Sequence, residues 1–202
     1  GPAPYRPYIP ALAHANWRWN LDYSGGQLTD WGGHHPDIAQ WGMGTERTGP
    51  IAIKNARGKF LSNDIWNTAR EFYFECEYAN GVTLIVDSSG CGVEFVGSDG
   101  WIAANRGWIK ASSDEILKSP IGPDEIHLYK SVDHSANFRE CIKTRRETIA
   151  PAEIGHRSIS IAHLGNIAMQ LGRKNLKWNP EQEIFPDDEM ANRMLSRPQR
   201  KW

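Results

Sequence analysis

The amino-acid sequence predicts an α+β fold: a mostly antiparallel, open β-sheet with helices packed on one face. Three observations carry the prediction. Through the middle of the chain, apolar and polar residues alternate at the two-residue period of half-buried strands. Glycine-centred turn signals divide these runs at hairpin spacing. Before and after them, apolar residues recur at helical spacing. Strands grouped together between helices, with no strand–helix alternation, give an antiparallel rather than a parallel sheet.

The elements follow in order. Residues 1–10 hold four prolines and two tyrosines and read as an extended strap; residues 1–25 form this strap and a pocket segment, and 26–202 a single α+β domain. From Gly26 to about Gly42, Leu28, Trp31, Ile38 and Trp41 recur at near-helical spacing, with Pro36 as the point of a kink or break. Pro50 to Lys54 reads as a strand that meets a turn at Arg57-Gly58. In Glu71 to Tyr78, one face carries Phe72, Phe74, Cys76 and Tyr78, and the other Glu71, Tyr73, Glu75 and Glu77. Asn80-Gly81 turns the chain into Val82 to Val86. Val93 to Val96 and Gly100 to Ala104 make a second hairpin, continued by Trp108 to Ala111. After a long connection from Ser112 to Tyr129, helices are expected over Val132 to Thr144 and over Pro151 to Gly172, where Gly172 supplies the stop. A short strand near Leu176 to Trp178 and a helix from Asp188 to Leu195 close the chain.

Composition excludes several classes of function. The 202 residues carry 23 basic and 24 acidic side chains, a net charge of −1, so no overall field favours nucleic acid or an anionic membrane. The basic end (Arg193, Arg197, Arg200, Lys201) reads as a solvated tail. No apolar run approaches the roughly 20 residues of a membrane span. Three widely spaced cysteines, Cys76, Cys91 and Cys141, make neither a disulfide framework nor a zinc knuckle. The compartment is left open. Nine tryptophans are in excess of what such a core needs, and Trp17, Trp19, Trp31 and Trp41 lie around one motif. Aromatic faces of this kind stack on the C–H face of a sugar or pack a helix.

That motif is Gly25-Gly26-Gln27-Leu28-Thr29-Asp30-Trp31-Gly32-Gly33-His34-His35-Pro36-Asp37. On a helix, Asp30 and His34 at i and i+4 share a face. A carboxylate beside an imidazole is one way to build a general base; an N-terminal Asp cap beside a core histidine has the same spacing. His35, about 100° further round, belongs to the pocket rim. Arg18 and Tyr23 are candidates to bond hydroxyls, with Trp19 as an apolar platform. Adjacent histidines and the lack of an H-x-x-x-H spacing argue against a metal site built from His14, His34, His35 and Asp37. His156 reads as a buried histidine that bonds backbone. Ser88-Ser89-Gly90-Cys91-Gly92 lacks the G-x-S-x-G pattern and reads as a turn.

The run from Gly25 to Asp37 resembles the G-G-x-L-x-D-x-G-x-H-x-x-D signature in the C-terminal domain of the Gfo/Idh/MocA oxidoreductases. The resemblance extends through Asp37 to Gly44, through Gly155-His156-Arg157-Ser158, and through Asp188 to Pro198, in a Trp-rich branch. It implies the glyceraldehyde-3-phosphate-dehydrogenase-like substrate domain of a sugar or polyol dehydrogenase. His34 would be the proton acceptor and Asp30 its partner or the substrate's, with Arg18, Trp19, Tyr23 and His35 around the substrate. It implies NAD or NADP, bound mainly by a dinucleotide-binding domain that this chain lacks, and a homo-oligomer formed through the sheet. No G-x-G-x-x-G and no Glu-Lys-Pro occurs here, so a fragment that is inactive alone is expected. The resemblance is equally compatible with an NAD-dependent glycoside-cleaving enzyme. A non-catalytic carbohydrate-binding or assembly module is the alternative from a different class, and a metal-dependent hydrolase a third.

Overall fold

A computed structural model describes residues 2–63 and 65–199. Arg200 and Lys201 of the basic tail lie outside the described residues. The chain enters through two 3-10 turns, Pro10–Leu12 and Asn16–Trp19, followed by α1 (Gln27–Trp31) and α2 (His35–Met43). Six strands follow: β1 (Ala52–Phe60), β2 (Ala69–Glu77), β3 (Thr83–Asp87), β4 (Val93–Val96), β5 (Trp101–Asn105) and β6 (Trp108–Ala111). Then come α3 (Asp114–Lys118), α4 (His134–Thr144), α5 (Ala152–Gln170), β7 (Asn175–Lys177) and α6 (Glu189–Arg193). The architecture is α+β with antiparallel pairing throughout.

The strands divide into two sheets, a four-stranded one in the order β3-β2-β1-β7 and a three-stranded one in the order β4-β5-β6. A single sheet would need a tight hairpin between β3 and β4. The β2–β3 ladder instead runs on one residue past β3, with Ser88 N–H donating to the Phe72 carbonyl and Ser88 Oγ accepting from Phe72 N–H. The three-stranded sheet leaves the plane and docks on α2, where Phe95 rests against the bare backbone of Gly42.

The main core lies between α5 and the four-stranded sheet. The alternation in β2 puts Phe74 and Cys76 at 0% exposure, beside Ile53, Ile161 and Ala168. Burying Phe74 contributes roughly 1.5–3 kcal/mol. The face of β2 that bears Tyr73 and Glu75 stays on the outer side.

Two expectations are corrected here. The helix expected from Gly26 to Gly42 is two helices, with His34 at φ −116°, ψ −62° between them. Pro36 occupies the first turn of α2, where its missing N–H costs nothing, but its ring could not sit inside a helix continuing from α1. Second, Arg57-Gly58 is no turn: β1 runs through it. A bulge with Asn55 at φ 54° adds one residue between Lys54 and Arg57, and Gly58 is bare because a Cβ there would lie 2.8 Å from Met169 Sδ.

Gly165 on α5 is packed under Phe74, and a Cβ would overlap the ring. Gly155, in the same helix, has open space. Gly165→Ala should therefore destabilise by about 1–2 kcal/mol, since overpacking outweighs the gain in helix propensity. Gly155→Ala should be neutral or stabilise by up to about 1 kcal/mol; urea unfolding of the two variants reads the difference directly. A second test concerns Asp188, which accepts from Ala191 N–H at 3.0 Å and from Arg173 Nε at 2.6 Å. The Arg173 hydrogen bond, then the backbone ones, hold its carboxyl below the ordinary 3.8. A depressed carboxylate stabilises above its unfolded value and loses that contribution as pH falls through the folded one. Asp188→Ala should thus lower the melting temperature at pH 7, with the gap from wild type narrowing once pH drops below about 4.

Candidate functional site

The Gly25-Gly26 pair sets the position of α1. Gly26, at φ 74°, precedes the helix, and its carbonyl accepts from Asp30 N–H at 3.1 Å. A Cβ on Gly26 would lie 2.6 Å from Thr68, and one on Gly25 would lie 2.8 Å from Asn166 Nδ2. These glycines bring α1 between the start of β2 and α5. Thr29 Oγ1 closes the turn by accepting from Gly25 N–H at 3.0 Å.

Asp30 thereby faces the 3-10 turn 16–19, and its Oδ2 accepts from Arg18 Nη1 at 2.7 Å, with both side chains more than a third exposed. That turn is fixed from below. The Trp19 carbonyl accepts from Asn67 and Thr68 N–H at 3.0 and 3.3 Å. Asn20 is buried, donates to the Ile65 carbonyl at 2.5 Å, and accepts from Asp22 N–H at 2.9 Å. Asp30 and His34 do not share a helix face as the spacing suggested, because α1 ends before His34. Among the described residues, the partner of Asp30 is Arg18 and no hydrogen bond joins it to His34.

Trp31 organises the rest. Its ring meets the exposed His34 imidazole edge-on at 5.8 Å and stacks on His35 at 5.3 Å and 19°. Arg106, in the β5–β6 turn, has its guanidinium 5.2 Å from the same ring. His35 lies inward, with Nε2 4.0 Å from Cys91 Sγ. Trp19 and Tyr23 sit further out, each near an arginine of its own: Arg70 at 5.2 Å and Arg6 at 5.9 Å. The structure therefore joins Arg18 to Asp30, and His34 and His35 to Trp31.

Next to Trp31 opens a cleft of about 640 Å³, bounded by α1 and α2, by β3 with the 87–92 connection, and by the three-stranded sheet. His35, Trp31, Asp87, Glu94, Cys91 and Trp108 line it. The residues from Asp87 onward were not foreseen. They lie fifty or more positions downstream of the motif in what reads locally as turn and strand; β3 of the first sheet brings Asp87 to the cleft, and docking of the second sheet brings Glu94 and Trp108.

The other matched segments serve packing. Asp37 accepts from Ser158 Oγ at 2.6 Å, tying α2 to α5. Arg157 pairs with Glu153 at 2.7 Å and Glu183 at 3.1 Å, and donates to the Pro180 carbonyl at 2.6 Å. That arginine pulls the Glu153 carboxyl below its ordinary value. His156 is not buried as expected: it is half exposed and meets Glu183 at 2.5 Å. Arg197 donates to the Leu21 carbonyl at 3.2 Å, so the closing segment buttresses the pocket segment. Among the described residues, no group of three or more His, Cys, Asp or Glu is arranged to hold a metal ion, and no helix is long and apolar enough to cross a membrane.

Comparison with known proteins agrees with this architecture. A family described as "Oxidoreductase family, C-terminal alpha/beta domain" matches residues 1–202. No curated protein matches the chain. Among solved structures, it is similar to the aldose-aldose oxidoreductase from Caulobacter crescentus complexed with glycerol, at 23% identity and a TM-score of 0.60. The match covers 81% of this chain and 51% of that one, so this chain spans about half the length of its structural relative. At that identity the likeness speaks for the fold. The motifs, the fold and the match over residues 1–202 together make the chain a member of the Gfo/Idh/MocA oxidoreductase family, in its C-terminal α/β domain.

Proposed function

We propose that this chain is the substrate-binding and oligomerisation domain of an NAD(P)-dependent oxidoreductase acting on a secondary alcohol of a sugar, glycoside or polyol. The observation that carries the reading is the Arg18–Asp30 pair at 2.7 Å, set one residue from Trp31 and beside the exposed His34. Arg18 and Asp30 offer a hydrogen-bond donor and an acceptor side by side, the complement of a vicinal diol. Trp31 offers an apolar edge to the C–H groups of the same ring. His34 is the proton acceptor for the hydroxyl under oxidation.

The dinucleotide itself does not fit here. Gly25 and Gly26 are filled by contacts to Asn166 and Thr68, and α1 is too short to present a phosphate site. Its binding belongs to another domain of the protein. Bound there, the nicotinamide supplies the hydride acceptor. The residues of this chain orient the alcohol and take its proton.

Oligomerisation is assigned to the outer face of the four-stranded sheet. The acidic residues of β2 find partners within the chain: Lys54–Glu77 at 2.8 Å, Lys59–Glu71 at 3.1 Å, and Tyr73 donating to Glu75 at 2.7 Å under Arg57. Paired charges are less costly to bury against a second copy than unpaired ones. In this proposal residues 1–25 are the strap and pocket segment and 26–202 the body, with Arg18 of the first paired to Asp30 of the second.

In the full-length enzyme, His34→Ala should lower kcat by about 10²–10⁴-fold with little change in melting temperature, because the ring is exposed. Asp30→Asn and Arg18→Ala should each raise KM. An exposed pair contributes only about 0–1 kcal/mol to stability, so unfolding would not account for the loss. Wild-type turnover in His34→Ala would remove the base assignment, and a ketone product with stoichiometric NAD(P)H would distinguish net oxidation from glycosidic cleavage.

A further inference from the structure

Apart from Trp31, the 640 Å³ cleft supplies no group to the reaction proposed above, and its size lies within the roughly 300–1,000 Å³ typical of ligand sites. Its composition is selective. Leu28, Phe72, Leu84 and Val86 supply apolar lining, and Trp31 and Trp108 supply aromatic surface. Gln27, His35 and Ser89 add polar groups, and Asp87 and Glu94 add carboxylates. Arg106 stands 5.2 Å from the Trp31 ring and Lys110 5.3 Å from the Trp108 ring. The apolar and aromatic part of the surface suits a flat ring.

The cleft also has a fixed relation to the Arg18–Asp30 pair. Trp31, the residue after Asp30, forms part of the lining, and His35 is stacked flat on it. On the far wall, Asn105 Nδ2 donates to the Cys91 carbonyl at 2.9 Å, which holds the 87–92 connection against the β5–β6 turn. Trp108 stands at the end of that same turn, 41% exposed, with Lys110 Nζ 5.3 Å from its ring.

We propose that this cleft is an aglycone site: it takes the aromatic group of a glycoside whose sugar ring lies at Arg18, Asp30 and His34. The inference rests on the function proposed above for its sugar half, and on the cleft alone for its aromatic half. Val86 and Trp108 set the preference for an aromatic over a small alkyl aglycone.

Two measurements on the full-length protein separate the halves. The first is ligand-observed ¹⁹F NMR with 4-fluorobenzyl alcohol, which carries the ring and no sugar. Binding is expected in the wild type and in His34→Ala, and should weaken at least about fivefold in Trp108→Ala and in Val86→Arg. Trp108 is partly exposed, so that variant keeps the test valid if Val86→Arg fails to fold. No binding in the wild type, or equal binding in Trp108→Ala, overturns the cleft assignment. The second compares oxidation of phenyl and methyl glycosides across several sugars. A phenyl preference of about tenfold in kcat/KM is expected, and should vanish in Trp108→Ala. Ring binding that Trp108→Ala weakens, with no glycoside oxidised, supports the cleft and defeats the oxidoreductase reading. Oxidation without phenyl preference and without ring binding does the reverse.

Discussion

One stripe along α5 sets the rest of the structure. Ser158, Ala162, Gly165, Asn166 and Met169 fall on one face of the helix, at the i, i+3, i+4 spacing. Between them they meet α1, α2, β1 and β2. Ser158 bonds Asp37 of α2, Ala162 lies where a Cβ on Gly32 would reach it at 2.8 Å, and Gly165 admits the Phe74 ring of β2. Asn166 abuts Gly25, and Met169 abuts Gly58 of β1. Four of the five contacts involve a glycine, on α5 or on its partner. The constraint is one of distance: backbones approach α5 more closely than any side chain on both surfaces would allow. The long helix is thus the common reference for the sheet below it and for α1 and α2 beside it.

The site inherits its geometry from that stripe. Because α1 is pinned at Gly25 by Asn166 and near its other end at Gly32 by Ala162, Asp30 and Trp31 between them have little freedom. The second sheet is placed by the same logic one step removed, through Phe95 on Gly42 of α2. The two walls of the cleft are therefore referred to one helix, although their residues are far apart in the chain. Glycines at such contacts are a packing device, and at Gly25-Gly26 this excludes the phosphate cradle that a glycine pair elsewhere could form.

Much of this was readable before the structure. The alternation in Glu71 to Tyr78 gave β2 and its buried face, and the turn at Asn80-Gly81 appears with Gly81 at φ 86°. The helix from Pro151 to Gly172 matches α5 within two residues, and Gly172 ends it at φ 63°. These are local signals, and local physics sets them. What could not be read depends on distant partners. Arg57-Gly58 resembles a turn until Met169 is seen to occupy the space where a side chain would be. The division into two sheets is decided by Phe95 finding Gly42, fifty-three positions away in sequence. The motif located one side of the site, and nothing in the sequence linked it to Asp87, Glu94 or Trp108.

The pairing of Asp30 shows why a motif alone undersells the chain. Spacing offered His34 as its partner, but the end of α1 at Trp31 removes the regular turn that would align them, and Arg18 stands closer at 2.7 Å. Arg18 belongs to a short 3-10 turn with no regular sequence signature. It is held by the Trp19 carbonyl, by Asn20, and by Leu21 N–H donating to Asn67 Oδ1 at 2.7 Å. Short 3-10 segments are weak on their own, so this turn depends on the buried amide of Asn20 and the half-buried amide of Asn67 for its shape. The acid of the motif is thus oriented by residues 16–67 as a unit. The segment before the motif is a structural part of the candidate site, and among the described residues no hydrogen bond joins the exposed His34 imidazole to a carboxylate.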